Sequence, residues 1–316
     1  MQRLWPFSSH LAKVSFLGYI GKINFDTSPS FIQENVLRRV KNFLRFVKIE
    51  HTFFSLPMIF SGVFLSAKEF PGWWTLVLIL FAATGARSVA FALNRIIDRE
   101  IDKRNPRTVF RELPSGKMSF LEAVSVLLVG AAVYFASAAL ISTFCLYLSP
   151  IPIIVFTLYP YTKRFTTLCH FGVGLGLAMA PLGGWFAVHP TLRGILPGAL
   201  LALFTLFWVT GFDIIYSTLD ELFDRQENLY SFTARYGKAR ALRYSGYLHV
   251  LAFLSLGVLF AIYIKAILAL PFLVLTGILL YMENKKAEDV ELAFFKINAV
   301  LGFSVLGMVV MGVFFA

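Results

Sequence analysis

Charge is scarce in this chain, and cysteine is scarcer. Only 15% of its 316 residues are charged, 58% are hydrophobic, and the mean hydropathy is +0.72. A soluble domain carries about 25% charge, so a water-soluble module is excluded. The two cysteines, Cys145 and Cys169, form neither a disulfide framework nor a zinc-ligand spacing. Both sit in apolar or membrane-edge sequence and are read as small buried side chains. Acidic residues are few as well, 18 against 29 Lys and Arg, which leaves a net charge of +11. That excess is no continuous nucleic-acid footprint, which excludes a nucleic-acid partner. It collects in alternate loops, as in a polytopic protein held in a lipid bilayer.

A membrane-crossing helix needs about 20 mostly apolar residues. The sequence predicts an all-α bundle of nine such helices, at roughly 51–67, 73–93, 119–137, 139–160, 171–189, 195–215, 244–263, 265–281 and 292–315. The split near 138–141 interrupts an almost unbroken apolar stretch, and the split at 264–266 rests on Lys265. Loop 95–117 holds seven Lys and Arg, and loop 225–243 holds five; the intervening loops offer only Lys68, Arg193 and Lys265. The segment before the first helix carries eight. This pattern puts the N-terminus inside and the C-terminus outside, as in a protein of a bacterial inner membrane. Residues 1–40 are expected to be a cytoplasmic extension and 41–316 the membrane domain. Leu11–Ile20 is too short to span and precedes no small-residue cleavage site. Residues 32–50 are expected to form an amphipathic helix at the interface.

Against this background two acidic clusters stand out. One is Asn94, Asp98 and Asp102; the other is Asp213, Asp220 and Asp224. Ionised side chains at a membrane edge are costly and mark functional sites by default. On a continuous helix the first set drifts about 40° per step, and the second falls within about 40° of one line. Glu100 and Glu221 point elsewhere. The pairs Asp98/Asp102 and Asp220/Asp224 suggest an internal repeat with a pseudo-two-fold, and both clusters lie on the cytoplasmic side. Oxygen ligands without a paired His or Cys suit Mg²⁺ or Ca²⁺. Mg²⁺ uses one or two carboxylates and bridges to substrate phosphates, so the pattern predicts a phosphorylated ligand. The plainer alternative is that these acids form loop-edge salt bridges.

Arg95, Lys103, Arg107, Lys163, Arg164 and Arg235 lie on the same side and suit a diphosphate, Arg as a fork and Lys as a point charge. Lys163 and Arg164 are the better candidates, because they close the aromatic helix end Tyr159-Pro160-Tyr161-Thr162. For most of the others, orientation in the membrane is the simpler role. The 34 Phe and 12 Tyr are mostly lipid-facing bulk and interfacial belt. Gly172, Gly174, Gly176, Gly183 and Gly184 predict close helix packing, with a cavity wall as the alternative. His51 and His170 are read as interfacial hydrogen-bonders.

Taken together, Asn94-x-x-x-Asp98-x-x-x-Asp102 with Arg107-Thr108, and Asp213-x-x-Tyr216-x-x-x-Asp220-x-x-x-Asp224, resemble the two signature motifs of the UbiA superfamily of intramembrane prenyltransferases. The resemblance extends to His51-Thr52, Arg111-Glu112-Leu113-Pro114-Ser115-Gly116-Lys117, Tyr161-Thr162-Lys163-Arg164 and Ala180-Pro181-Leu182-Gly183-Gly184-Trp185. It covers most of the chain from about residue 45. It implies nine helices around a central cavity open to the inner leaflet. It also implies Mg²⁺ held by Asn94, Asp98, Asp102, Asp213, Asp220 and Asp224, and a polyprenyl diphosphate bound through that metal. Substrate contacts would fall to Asn94, Arg95, Arg107, Tyr161, Lys163, Arg164 and Tyr216. Asp220 would sense or deprotonate a phenol, and Arg164 would meet the diphosphate or an acceptor carboxylate.

The residues around His51-Thr52, Asn94-Arg95 and Arg111–Pro114 look like the 4-hydroxybenzoate branch, which implies prenyl transfer to a small aromatic acceptor in ubiquinone or menaquinone biosynthesis. Acceptors of the futalosine route, dihydroxynaphthoate and haem are alternatives within the family. A cation-coupled transporter is the alternative outside it, disfavoured because both clusters lie at one membrane side rather than the midplane. No obligate protein partner is implied.

Overall fold

The computed structural model describes residues 29–48, 52–67, 70–290 and 296–315. His51, Lys68 and the Leu11–Ile20 run lie outside them. The chain divides into two compact units, Met1–Lys41 and Asn42–Ala316.

Every described element is helical: α1 (Pro29–Phe46), α2 (Thr52–Ser66), α3 (Trp73–Ile97), α4 (Arg99–Arg104), α5 (Phe120–Ile141), α6 (Thr143–Leu148), α7 (Pro150–Thr162), α8 (Cys169–Val188), α9 (Leu196–Ser217), α10 (Glu221–Gln226), α11 (Phe232–Tyr236), α12 (Lys238–Leu259), α13 (Leu270–Lys285) and α14 (Asn298–Phe314). Among the described residues, seven helical stretches are long and apolar enough to cross a membrane. Two shorter apolar helices, Ser55–Ser66 and Asn298–Phe314, stand where the first and ninth spans were expected.

Local chemistry sets the boundaries. Ser119 and Glu122 form a reciprocal cap at the start of α5, which satisfies two otherwise orphaned N–H groups. The long apolar run breaks at Ser142, whose hydroxyl accepts from the Cys145 amide at 3.0 Å and so starts α6. After α12 the chain turns at Lys265, which adopts left-handed backbone with φ 58°. Proline stands in the first turn of α7, α9 and α13, where no N–H is needed.

The innermost helix is α9, packed against α8 and α12. Its Leu201, Phe204 and Trp208 are fully buried. The Trp208 indole donates to Asn298 Oδ1 at 2.8 Å, and the Asn298 amide donates to Glu283 Oε1 at 2.9 Å, joining α9, α14 and α13. Helices α2 and α8 cross on glycine: a Cβ at Gly62 would lie 1.9 Å from the Pro181 carbonyl oxygen, and one at Gly184 would lie 2.1 Å from that of Ile59. Only a missing side chain allows backbones to approach so closely.

Candidate active site

Both acidic motifs fall where a helix breaks, not along one straight helix. α3 ends at Ile97, Asp98 caps it, and α4 begins at Arg99. α9 ends at Ser217, a single 3₁₀ turn carries Thr218–Asp220, and α10 follows. Across the first break the helical spacing persists, since the Asp98 N–H donates to the Asn94 carbonyl at 2.9 Å and the Asp102 N–H to the Asp98 carbonyl at 2.8 Å. Asn94, Asp98, Asp102, Asp213, Asp220 and Asp224 all line one cavity of about 190 Å³.

The acids are held by cations from other segments. Lys163 Nζ, at the end of α7, lies 2.7 Å from Asp98 Oδ2, and Arg164 Nη2 lies 3.8 Å from Asp98 Oδ1. Asn94 Nδ2 donates to Asp98 Oδ2 at 3.2 Å. Arg111 Nη1 reaches both Asp102 oxygens at 2.9 Å. Arg107 grips Asp220, with Nε donating to Oδ1 at 2.8 Å and Nη2 pairing with Oδ2. Its Nη1 donates to the Tyr216 hydroxyl at 2.8 Å, and the guanidinium lies 4.9 Å from that ring's centre. Asn105 Nδ2 also donates to Asp220 Oδ1, at 2.8 Å. Salt bridges thus form, as the plainer alternative expects, but they link separate elements around one pocket.

Burial pushes the Asp98 carboxyl above the usual carboxylate range, and Lys163 opposes that rise. Burial would lower the Arg107 guanidinium, yet the Asp220 carboxylate outweighs it and holds the group above the ordinary arginine value.

Lys163, Arg107 and Tyr216 line the cavity. Arg95 does not. It sits one residue from Asn94, about 100° round the helix, and is buried with its guanidinium 3.9 Å from Glu112 and 5.8 Å from the Phe46 ring centre. Tyr161 is exposed, with Arg164 stacked 4.9 Å from its ring centre. Arg164 itself is exposed and donates to the Ile97 carbonyl at 2.9 Å, so it belongs to the rim. Among the polar lining residues that the sequence reading did not assign to the site are Asn105, Arg111, Tyr159 and His170. His170, expected merely at the interface, is buried with Nδ1 2.7 Å from Asp213 Oδ2.

A second, apolar cavity of about 500 Å³ continues along the same helices. On α3 it ends at Phe91 where the polar cavity begins at Asn94; on α7 the step is Phe156 to Tyr159, and on α8 Gly176 to Val173. Each step is three residues, about 4.5 Å of helix rise. A charged chamber therefore sits directly on an apolar one.

A model of the UbiA prenyltransferase family matches residues 55–300. The chain belongs to the UbiA prenyltransferase family. A UbiA homologue from Aeropyrum pernix K1, solved without ligand, is 33% identical with a TM-score of 0.77, covering 83% of this chain and 98% of that one. A UbiA homologue from Archaeoglobus fulgidus, solved bound to GPP and Mg²⁺, has a TM-score of 0.64 at 18% identity, over 84% of this chain and 99% of that one; that likeness shows the fold. Among curated relatives, the 4-hydroxybenzoate octaprenyltransferase of Aliivibrio fischeri is 31% identical over 161 residues, 50% of this chain and 55% of that protein. The namesake enzyme of Aliivibrio salmonicida is 28% identical over 58% of this chain and 65% of its own length. The chain thus spans about half to two thirds of these relatives.

The residues of the polar chamber fit a magnesium ion. Among the described residues no three His, Cys, Asp or Glu side chains converge on one point. Mg²⁺ does not require that, since it keeps several waters and completes its shell on phosphate. The cavity offers carboxylate and amide oxygens, and Asp98 Oδ1 is buried without a hydrogen-bond partner. A buried acceptor left empty is costly, and a cation satisfies it.

Proposed function

We propose that this chain transfers a prenyl group from a polyprenyl diphosphate to a small aromatic acceptor of the 4-hydroxybenzoate type, feeding quinone synthesis. The observation that carries this reading is the charged chamber stacked on the apolar one. Together they match an amphiphile with a diphosphate head and a long hydrocarbon tail. The basic loops favour a chamber facing the cytoplasm of a bacterial inner membrane.

Asp98, Asp102, Asp213, Asp220, Asp224 and Asn94 would hold Mg²⁺. The ion, when bound, neutralises the diphosphate as it leaves. Lys163, Arg107 and Arg111 now pair with Asp98, Asp220 and Asp102; with those carboxylates on the metal, their donors would be free to turn to the phosphate oxygens. Lys163 supplies a point charge and the two arginines supply forks. The apolar chamber keeps water from the allylic carbon once its C–O bond breaks. The ring carbon of the acceptor then bonds to it, and the ring proton leaves. Both Asp220 oxygens are occupied by Arg107. The part of Asp220 as a base requires Arg107 to move to the phosphate first.

The test uses membranes carrying the chain, labelled octaprenyl diphosphate, 4-hydroxybenzoate and Mg²⁺. Labelled prenyl-acceptor that forms with the wild type, disappears with EDTA and is missing in Asp98→Ala supports the proposal. No product with any aromatic acceptor tried, in membranes where the chain is inserted, overturns it.

A further inference from the structure

His170 makes two hydrogen bonds in opposite senses. Its Nε2 lies 3.3 Å from the backbone N–H of Phe232, which can only donate. Nε2 is therefore the bare nitrogen, the ring hydrogen sits on Nδ1, and Nδ1 donates to Asp213 Oδ2 at 2.7 Å. One imidazole thus ties three elements: α8, which carries it, α9, which carries Asp213, and the entry to α11. Only 4% of His170 is exposed, so few water molecules compete for either bond.

The segment it touches is the return path from Asp220 and Asp224. Tyr230 N–H donates to the Lys163 carbonyl at 2.7 Å, Cys169 Sγ lies 3.3 Å from the Tyr230 carbonyl, and Thr233 Oγ1 donates to the Ser217 carbonyl at 3.1 Å. These bonds fasten residues 230–233 to the ends of the membrane helices. His170, like Lys163, also reaches a carboxylate of the chamber.

We propose that His170 is a positioning residue, orienting Asp213 toward its ligand and pinning residues 230–233 over the chamber. It aligns a ligating side chain as an outer-shell partner does, through a fixed tautomer. The role toward Asp213 rests on the metal-dependent reading above, whereas the pin does not. A Gln amide offers one donor and one acceptor and replaces both bonds; a Phe ring offers neither.

The experiment compares wild type, His170→Gln and His170→Phe as full-length protein in nanodiscs. With EDTA and no substrate, trypsin cleavage at the exposed Arg235 should be about fivefold faster in the Phe variant, the change that one lost hydrogen bond allows. With donor and acceptor saturating, the half-saturating Mg²⁺ concentration should rise about tenfold, with kcat at high Mg²⁺ much less affected. His170→Gln should return both to near wild type. If the Phe variant does not accumulate, His170→Asn, too short to span both partners, takes its place. Wild-type values in the Phe or Asn variant overturn the proposal, as does a Gln variant as impaired as Phe. If the wild type itself shows no Mg²⁺-dependent transfer, the enzymatic reading fails, and the cleavage rates alone decide the pin.

Discussion

Exchanging Lys163 for methionine removes the charge that holds Asp98 while keeping most of the length of the side chain. The Asp98 side chain is 4% exposed, and Lys163 Nζ lies 2.7 Å from it. Removing one partner of a fully buried ion pair costs about 3–5 kcal/mol, because the other charge stays behind uncompensated. Two features reduce that figure here. Lys163 is 27% exposed, so water enters where the ammonium was, and Arg164 stands 3.8 Å from the same carboxylate. The loss then comes to about 2 kcal/mol, within the 1.5–3 typical of a charge-assisted hydrogen bond. For a chain of 316 residues that corresponds to a fall of roughly 3 °C in melting temperature. Adding Asp98→Asn to Lys163→Met removes the stranded charge, so the double variant should recover most of the loss, a coupling of about 1–2 kcal/mol. Neither single variant nor the double should turn over at more than about a hundredth of the wild-type rate, because a donor to the phosphate or an acceptor for the metal is gone. Melting curves of detergent-solubilised protein and the labelled-donor assay give the two readouts. An unchanged melting temperature in Lys163→Met, or single-variant losses that simply add, would refute the claim that this pair is buried and coupled.

Three other outcomes are expected. Arg107→Leu should lose about 100-fold in kcat/KM, and Arg107→Lys should fall between it and wild type, because an ammonium cannot reproduce the fork on Asp220 and Tyr216; equal rates in the two would show that charge alone matters. Gly62→Ala and Gly184→Ala should each cost about 1–3 kcal/mol in thermal unfolding, because the opposing atoms are backbone and the helices must part, and together they should cost less than their sum; unaltered stability would place α2 and α8 further apart. Gly183 lines the apolar cavity with open space around its missing side chain, so Gly183→Phe should reduce turnover of octaprenyl diphosphate about tenfold or more relative to geranyl diphosphate; equal effects on both donors would remove the tail from that cavity.

Membrane character, the helical class and the two acidic motifs could be taken from the sequence alone, since each depends on local composition. A run of apolar residues must satisfy its own backbone in lipid, and a carboxylate at the end of such a run is too costly to be idle. Even the turn at Lys265 was visible, because one charge in an apolar stretch marks a chain reversal. What composition cannot convey is where a side chain stands once helices break and pack. Asn94 and Arg95 are neighbours in the chain, yet one lines the chamber and the other is buried against Phe46 and Glu112. Helical spacing implied a common face for each motif, but not that the two faces would meet across one cavity. Only the folded molecule joins Arg107 to Asp220, 113 residues later, and His170 to Asp213, 43 residues later. Those pairings depend on distances across the bundle, and local sequence holds no record of them.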